Sequence, residues 1–405
     1  MAEGNNPVVT GEAGNGTAPT SVGLVEEARA LSAIFRARAP EAEKARRLHR
    51  ESHEAMLDAG LYRVQMPARY GGFEMSHRAM LDISVEIGRG CGSSAWIFSN
   101  IVAQNGIVSM ACRAAQDDVW AGDHRACVAS SFPAAGATAQ RAEGGIVVDG
   151  VWSFASGVDW ADWNNLQVFV PRPEGGVEHR MALVPKSDYV VIDDWFSPGL
   201  AATGSRSIRL DRVFIPEYRT LDTAAARQGL TIEASENFGP IFRVPPMCGA
   251  NKIFSGPAIG IARGALDAIE REMSERRTVG GAAMASLATA QLRVAEAGAL
   301  IDAAWALMRQ DCDVALEIGA SGRLTTVEDR VFWRRNNAYS GAMCVRAVEI
   351  LHPLTGARGL VADSDFQRAW RDIHAATMQI NMSWDRNAIP AGEIQLGLTP
   401  SDPRA

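Results

Sequence analysis

Three rhythms of apolar and polar positions divide this chain. From Gly23 to about Ala115 apolar residues recur at three- and four-residue steps, the spacing that places them on one face of a helix. Leu31, Ile34 and Phe35, then Ala55, Met56 and Ala59, stand on a strongly charged background. They predict a helix over 26–59 that stops at Gly60 as a C-cap. A loop over 61–73 leads to a second helix over 76–88. The run from Ser93 to Gln104 opens a third, apolar nearly all round and therefore expected to be buried. From about Arg125 to Leu221 the period falls to two, punctuated by Gly144-Gly145, Gly150, Pro171 and Gly175-Gly176. That predicts a compact β-domain of roughly seven short strands. After Phe238 the helical period returns over 254–276, 285–316, 327–351 and 365 to about 384, with breaks at 319–322 and 352–359. Those are the lengths of a helical bundle with short antiparallel connections.

Helices, then strands, then helices indicate segregated domains in an α+β, mainly α chain rather than a wound parallel sheet. The divisions expected are a flexible tail over 1–22, an N-terminal helical domain over 23–124, a central β-domain over 125–222 and a C-terminal bundle over 223–405. No GxGxxG follows a strand, so a Rossmann site is not predicted.

Composition narrows the classes. The length of 405 residues suggests two or three domains, and 47% hydrophobic with 21% charged residues is ordinary for a globular protein. A net charge of −7, with no basic cluster interleaved with aromatics, argues against a nucleic-acid surface. No apolar run of about 18 residues predicts a membrane span. The six cysteines form no CxxC, so neither a disulfide frame nor a zinc site is expected. A reducing cytoplasm is the simple reading, and the tail lacks the apolar stretch of a signal peptide.

Candidate chemistry concentrates in the middle third. Gly150-Val-Trp-Ser-Phe-Ala-Ser-Gly-Val-Asp-Trp-Ala-Asp-Trp163 begins as an alternating strand and turns at Ser156-Gly157. Its counterpart over 194–207 is a loop of small residues, 199–205, leading into another strand. Small residues allow a flat ligand to approach the backbone, and the hydroxyls of Ser156, Thr203 and Ser205 can bond a polar ring edge. Ordinary hairpin ends would read the same way. Trp160 and Trp163 can wall a cavity or belong to the core; following the turn directly favours the cavity. His49 and His53, on the charged N-terminal helix, are expected to face solvent.

Taken together, several stretches resemble the acyl-CoA dehydrogenase fold. They are Ala59-Gly-Leu-Tyr-Arg-Val-Gln-Met-Pro with Tyr70-Gly-Gly-Phe-Glu, Ser94-Ala-Trp96, the 150–159 stretch, Asp194-Trp with Gly199-Leu-Ala-Ala-Thr-Gly-Ser, and Phe366-Gln-Arg-Ala-Trp-Arg-Asp372. Within that fold the chain is similar to oxygenase components of two-component flavin monooxygenases. The resemblance implies an N-terminal helical domain, a central β-barrel and a C-terminal four-helix bundle, with an isoalloxazine ring between the last two. It implies Ser131, Trp152, Ser156, Thr203, Gly204 and Ser205 near the ring. Arg276 would reach a flavin phosphate across a subunit boundary, its fork suiting two oxygens. Trp96, Asn105, Trp160 and Trp163 would meet substrate. Reduced FMN or FAD would come from a separate NAD(P)H:flavin reductase and react with O2 to oxygenate an aromatic, heteroaromatic or natural-product small molecule. A homotetramer in the cytoplasm, without membrane or nucleic-acid partner, is expected.

One absence and two replacements shape the expected chemistry. Dehydrogenases of this fold need a carboxylate base over the ring, supplied after the last long segment or from the first bundle helix. Here those places read Ile380-Asn-Met-Ser-Trp-Asp-Arg and Gly256-Pro-Ala-Ile-Gly-Ile-Ala-Arg-Gly, with no carboxylate before Asp267. Many oxygenases carry a histidine eight residues after the Arg of the Arg-Asp pair and another eight after the Trp of Ala-Trp. Here those positions are Gln379 and Gln104. Glutamine exchanges hydrogen bonds but takes no proton near neutral pH. The resemblance thus puts Gln379, Gln104 and Ser156 in the catalytic set, with Gln379 also at the cofactor, and His374 is the alternative if the count slips. The competing functions are a flavin dehydrogenase or oxidase acting on something other than a thioester, and a fold relative without chemistry.

Overall fold

The computed structural model describes residues 19–132, 136–244, 252–362 and 364–402. Most of the expected tail, with residues 133–135, 245–251, 363 and 403–405, therefore lies outside the described residues. Thr20 caps helix α1 (Ser21–Ala45) by accepting from the Gly23 N–H at 3.0 Å. The helix predicted to run on to Ala59 breaks at Arg46, which adopts φ 50°. A tertiary contact holds that break: the Arg46 guanidinium bonds Asp193 at 2.8 Å and Trp195 O at 2.9 Å. The chain resumes as α2 (Arg50–Asp58), with His49 at its N-cap accepting from the Glu51 N–H.

Helices α3 (His77–Gly90) and α4 (Gly92–Val108) follow, and every residue of α4 is buried. After α5 (Arg113–Trp120) come eight strands among the described residues. One sheet has the order β1 (Val128–Ser131), β4 (Trp163–Pro171), β5 (Val177–Pro185), β8 (Thr220–Asp222). The other runs β2 (Thr138–Ala142), β3 (Gly145–Ala155), β7 (Arg206–Pro216), β6 (Val190–Ile192). The inward residues of both sheets, among them Ile146, Val148, Trp152, Leu166, Val168, Val184 and Ile208, make one shared core, as alternation along each strand requires.

Short helices α6 (Thr223–Arg227) and α7 (Ile232–Ser235) precede the bundle. Its long members are α8 (Ser255–Glu275), α9 (Ala288–Ser321), α10 (Val327–Leu351) and α11 (Asp365–Thr377), followed by α12 (Trp384–Gln395). The helix predicted from 365 to about 384 therefore ends at Thr377, because Gln379 leaves the helical region at φ −64°, ψ 134°. The bundle core also includes Leu81 and Val85 of α3, Trp96 of α4 and Leu200 of the β-domain. The three parts of the chain thus meet at Trp96 and Leu200.

Candidate active site

The stretch after β3 and the turn before β7 are bound to each other. Gly157, at φ +77°, donates its N–H to Thr203 O at 2.9 Å. The turn over 200–204 begins and ends with left-handed residues, Leu200 at φ 51° and Gly204 at φ 53°. A Cβ on Gly204 would lie 2.8 Å from Asp159 Oδ2, so glycine there is required by space as well as by torsion. Asp159 is fixed by Arg206 at 2.6 Å.

Four buried polar side chains form a continuous row across this junction. Trp96 Nε1 donates to Ser156 Oγ at 3.2 Å; Ser156 and Ser205 are 2.8 Å apart, Ser205 and Thr203 2.7 Å, and Thr203 Oγ1 donates to Leu200 O at 2.7 Å. The indole can only donate and the carbonyl can only accept. Proton supply therefore runs one way, from tryptophan through three hydroxyls to the peptide oxygen. Each hydroxyl spends its proton within the row and keeps a lone pair for a ligand. The row ends on the carbonyl of Leu200, and the N–H of that same residue, in the preceding peptide, donates to Asp372 Oδ1 at 2.6 Å.

A second polar zone lies along α4. Trp96, Asn100 and Gln104 follow at four-residue steps, and Asn100 Nδ2 donates to Trp96 O at 2.8 Å. Gln104 Oε1 accepts from Asn165 Nδ2 of β4 at 2.9 Å. Asn105 points elsewhere and donates to Tyr62 O at 2.8 Å. Ser131 Oγ, both polar atoms of the Asn164 side chain and the Oδ1 atoms of Asn105 and Asn165 are buried without a protein partner. Each such atom left unmet would cost about 1–3 kcal/mol. A buried row of three hydroxyls, each with a lone pair to spare, suits a planar ring with alternating N–H and carbonyl positions on its edge. The residues present fit a flavin.

Comparisons with known proteins decide the family. The acyl-CoA dehydrogenase N-terminal domain model matches residues 23–120 and the C-terminal domain model residues 252–384. The oxygenase component of the FADH(2)-dependent resorcinol hydroxylase of Rhizobium sp. (strain MTP-10005) is 33% identical over 94% of this chain and 95% of its own. The chain belongs to the acyl-CoA dehydrogenase family. Within it, this is an oxygenase component of the flavin-dependent monooxygenase type. The p-hydroxyphenylacetate 3-hydroxylase oxygenase component of Acinetobacter baumannii is 29% identical over 94% of this chain and 90% of its own. The HsaA monooxygenase of M. tuberculosis superposes with a TM-score of 0.89 at 27% identity, covering 96% of this chain and 100% of that one.

In this oxygenase the other residues singled out from sequence lie apart from the row. Trp152 is buried in the β-domain core and donates to Gln167 O at 2.9 Å. Trp160 is accounted for by packing rather than by a cavity: it stacks on His53 with centroids 4.8 Å apart and donates to Leu48 O. Trp163 packs beside the cluster of Met66, Tyr70 and Trp120, under the Arg219 guanidinium. His53, expected at solvent, is buried, 3.2 Å from the Tyr62 hydroxyl, because α2 turns that face inward against the 158–160 turn.

Arg276 caps the end of α8, where it bonds Glu272 at 2.8 Å and Leu354 O at 3.1 Å. Gln379 folds back on its own turn, with Oε1 accepting from the Asn381 N–H at 2.6 Å. His374 bonds Trp370 O at 2.7 Å and lies 3.0 Å from Glu349, on the outer side of α11. The carboxylates nearest the two places where a dehydrogenase would carry its base are committed elsewhere: Asp267 pairs with Arg89, and Glu393 accepts from Ser401. Sequence reasoning assigned no role to Asn164, Asn165 or Asp372. Adjacent asparagines at the start of a strand were a visible signal. The burial of Asp372 was not, since it depends on how α11 docks.

Proposed function

We propose that this oxygenase inserts one oxygen atom from O2 into an aromatic or heteroaromatic small molecule whose reacting carbon is electron-rich without loss of a proton. The observation that carries this is the Gln104–Asn165 pair. Both amides are buried, each binds the other, and the pair has one donor group and one acceptor group left for substrate whichever way the two amides are turned. Neither can take a proton near neutral pH, so a phenol would arrive and stay protonated. An indole, an aryl amine or an already ionised ring needs no such help.

The residues that would hold the reduced flavin are Ser156, Thr203 and Ser205 at its polar edge, with Ser131 and Trp96 beside them. The flavin supplies the activation of O2; the chain binds it, orients it and excludes water. FMN and reduced FAD are both compatible with the row, and the name of the resorcinol hydroxylase favours FADH2. A separate NAD(P)H:flavin reductase would supply it, in keeping with the absence of a GxGxxG strand motif. A homotetramer is supported by the apolar residues on the bundle surface around Gln379: Tyr339, Met378, Ile380, Trp384 and Ile389 are all exposed in the single chain. Among the described residues no helix is long and apolar enough to cross a membrane, and a cytoplasmic location fits the reading.

The test is the pH dependence of kcat/KM for an indole and a simple phenol. Turnover of the indole should be flat between pH 7.5 and 9, and turnover of the phenol should climb there only toward its own ionisation near pH ~10. A Gln104→His variant should gain a limb near pH ~6.5 with the phenol, where imidazole titrates. A wild-type limb near neutrality with the phenol that the indole does not share, unchanged in the variant, would contradict the reading.

A further inference from the structure

We propose that Asp372 is a positioning residue for the hydroxyl row, through which bundle helix α11 sets the geometry of the groups that meet the flavin edge. The carboxylate is 4% exposed and stands between the two ends of the row. Its Oδ1 accepts from the Leu200 N–H at 2.6 Å, and the oxygen of Leu200 receives the last proton of the row from Thr203 at 2.7 Å. Its Oδ2 abuts the start of α4, where a Cβ on Gly92 would come within 3.0 Å of it. That helix carries Trp96, the first donor of the row, one turn further on. One carboxylate thus holds the turn that carries Thr203 and Ser205 by a hydrogen bond and packs against the start of the helix that carries Trp96.

The docking surface around it leaves little play. A Cβ on Gly199 would fall 2.2 Å from Arg371 O, so the turn rests directly on the α11 backbone. Asp372 itself touches none of the three hydroxyls, which makes its effect positional.

Several charged groups face this carboxylate. From α1 come Arg36 and Glu43, from α3 Arg89, and from the start of α4 the Cys91 thiol. From its own helix come Arg368 and Arg371. Arg371 is engaged by Glu43 and Pro198 O, and Arg368 by Asp365 at 2.6 Å. Burial outweighs the Leu200 N–H bond and the two arginines, and pushes the carboxyl up to about 6. An ionised carboxylate accepts a backbone N–H roughly twice as strongly as its neutral acid. The positive end of α4 favours the same ionised form. Protonation therefore loosens the brace just below neutrality.

The inference rests on the flavin reading of the row, not on which substrate is used. The experiment is binding of oxidised FAD and FMN to the flavin-free protein between pH 5 and 8, followed by fluorescence quenching, for wild type and Asp372→Asn. The difference between the two proteins cancels any titration of the flavin itself. The expected result is a variant Kd at pH 7.5 raised tenfold or more, at a melting temperature close to wild type. Wild-type affinity should fall toward the variant's below pH 6, while the variant stays level. Equal affinities at every pH overturn the proposal and leave the flavin site standing. If the variant does not fold, the wild-type titration still decides, since a level affinity through pH 6 overturns it. A wild type that binds no flavin overturns the flavin reading and this proposal together.

Discussion

At His53 and His77, burial has pushed the imidazoles down to about 4, with Arg125 and Arg50 near the first and Lys252 near the second adding to the effect. Their unfolded value is about 6.5, so between pH ~6.5 and ~4 the unfolded chain binds more protons. Their contribution is whole above that window and is lost as pH falls through it. Asp372, raised instead, acts in the opposite sense: between its unfolded value and about 6 the folded chain binds the extra proton. Burial lowers His179 as well and raises Asp159; the three histidines outnumber the two aspartates, and urea midpoints should fall from pH 7 to pH 4.5. In His77→Gln the fall should shrink by about 1–3 kcal/mol; a slope identical to wild type would contradict neutral burial of that ring. The hydroxyl row was legible from residue types and neighbourhood, since Ser156, Thr203 and Ser205 stand in loops of small residues. The burial of His53 was not, because one charged helix and two charged helices with a break at Arg46 share the same periodicity. The side of that break is set by Asp193 and Trp195, about 150 residues away.

Among elements, the contact that matters most for the site is α3 against α8, because it sets the seat of α4. A Cβ on Gly260 would lie 2.6 Å from Val85 O and 2.7 Å from Gly88 Cα. The helices touch backbone to backbone, and no side-chain rotation relieves an added methyl. Gly260→Ala should cost roughly 1–3 kcal/mol as overpacking, seen as a lower urea midpoint; an unchanged midpoint would mean the two helices are free to part. Helix α10 was predicted to the residue because Thr326 and Asp329 form a capping box at its start and His352-Pro353 interrupts its end. The last helix was overrun by several residues because nothing in the local pattern announces the turn at Gln379. There the side chain replaces helical bonds with one to Asn381. The same turn removes Gln379 from the face that carries Asp372, and no hydrogen bond joins it to the row among the described residues.

For the whole molecule, order and period of the segments were enough to give three segregated parts, and the motifs were enough to give the family. How the parts meet was not legible: Trp96, Leu200 and Asp372 are far apart in sequence, and their convergence depends on glycines at 92 and 199 that permit close approach. The proposed homotetramer would cover the apolar surface around Trp384; sedimentation at micromolar concentration should then report four chains, and fewer for Trp384→Glu. A monodisperse single chain would contradict that assembly. Reduced flavin in this protein should meet dioxygen, and one of the two oxygen atoms should pass to a ring. Single-turnover mixing of protein and reduced flavin with ¹⁸O2 and an indole tests it most directly. The product should gain one ¹⁸O atom per flavin oxidised; an unlabelled product, with bleaching of oxidised flavin by that substrate under anaerobic conditions, would contradict oxygen transfer.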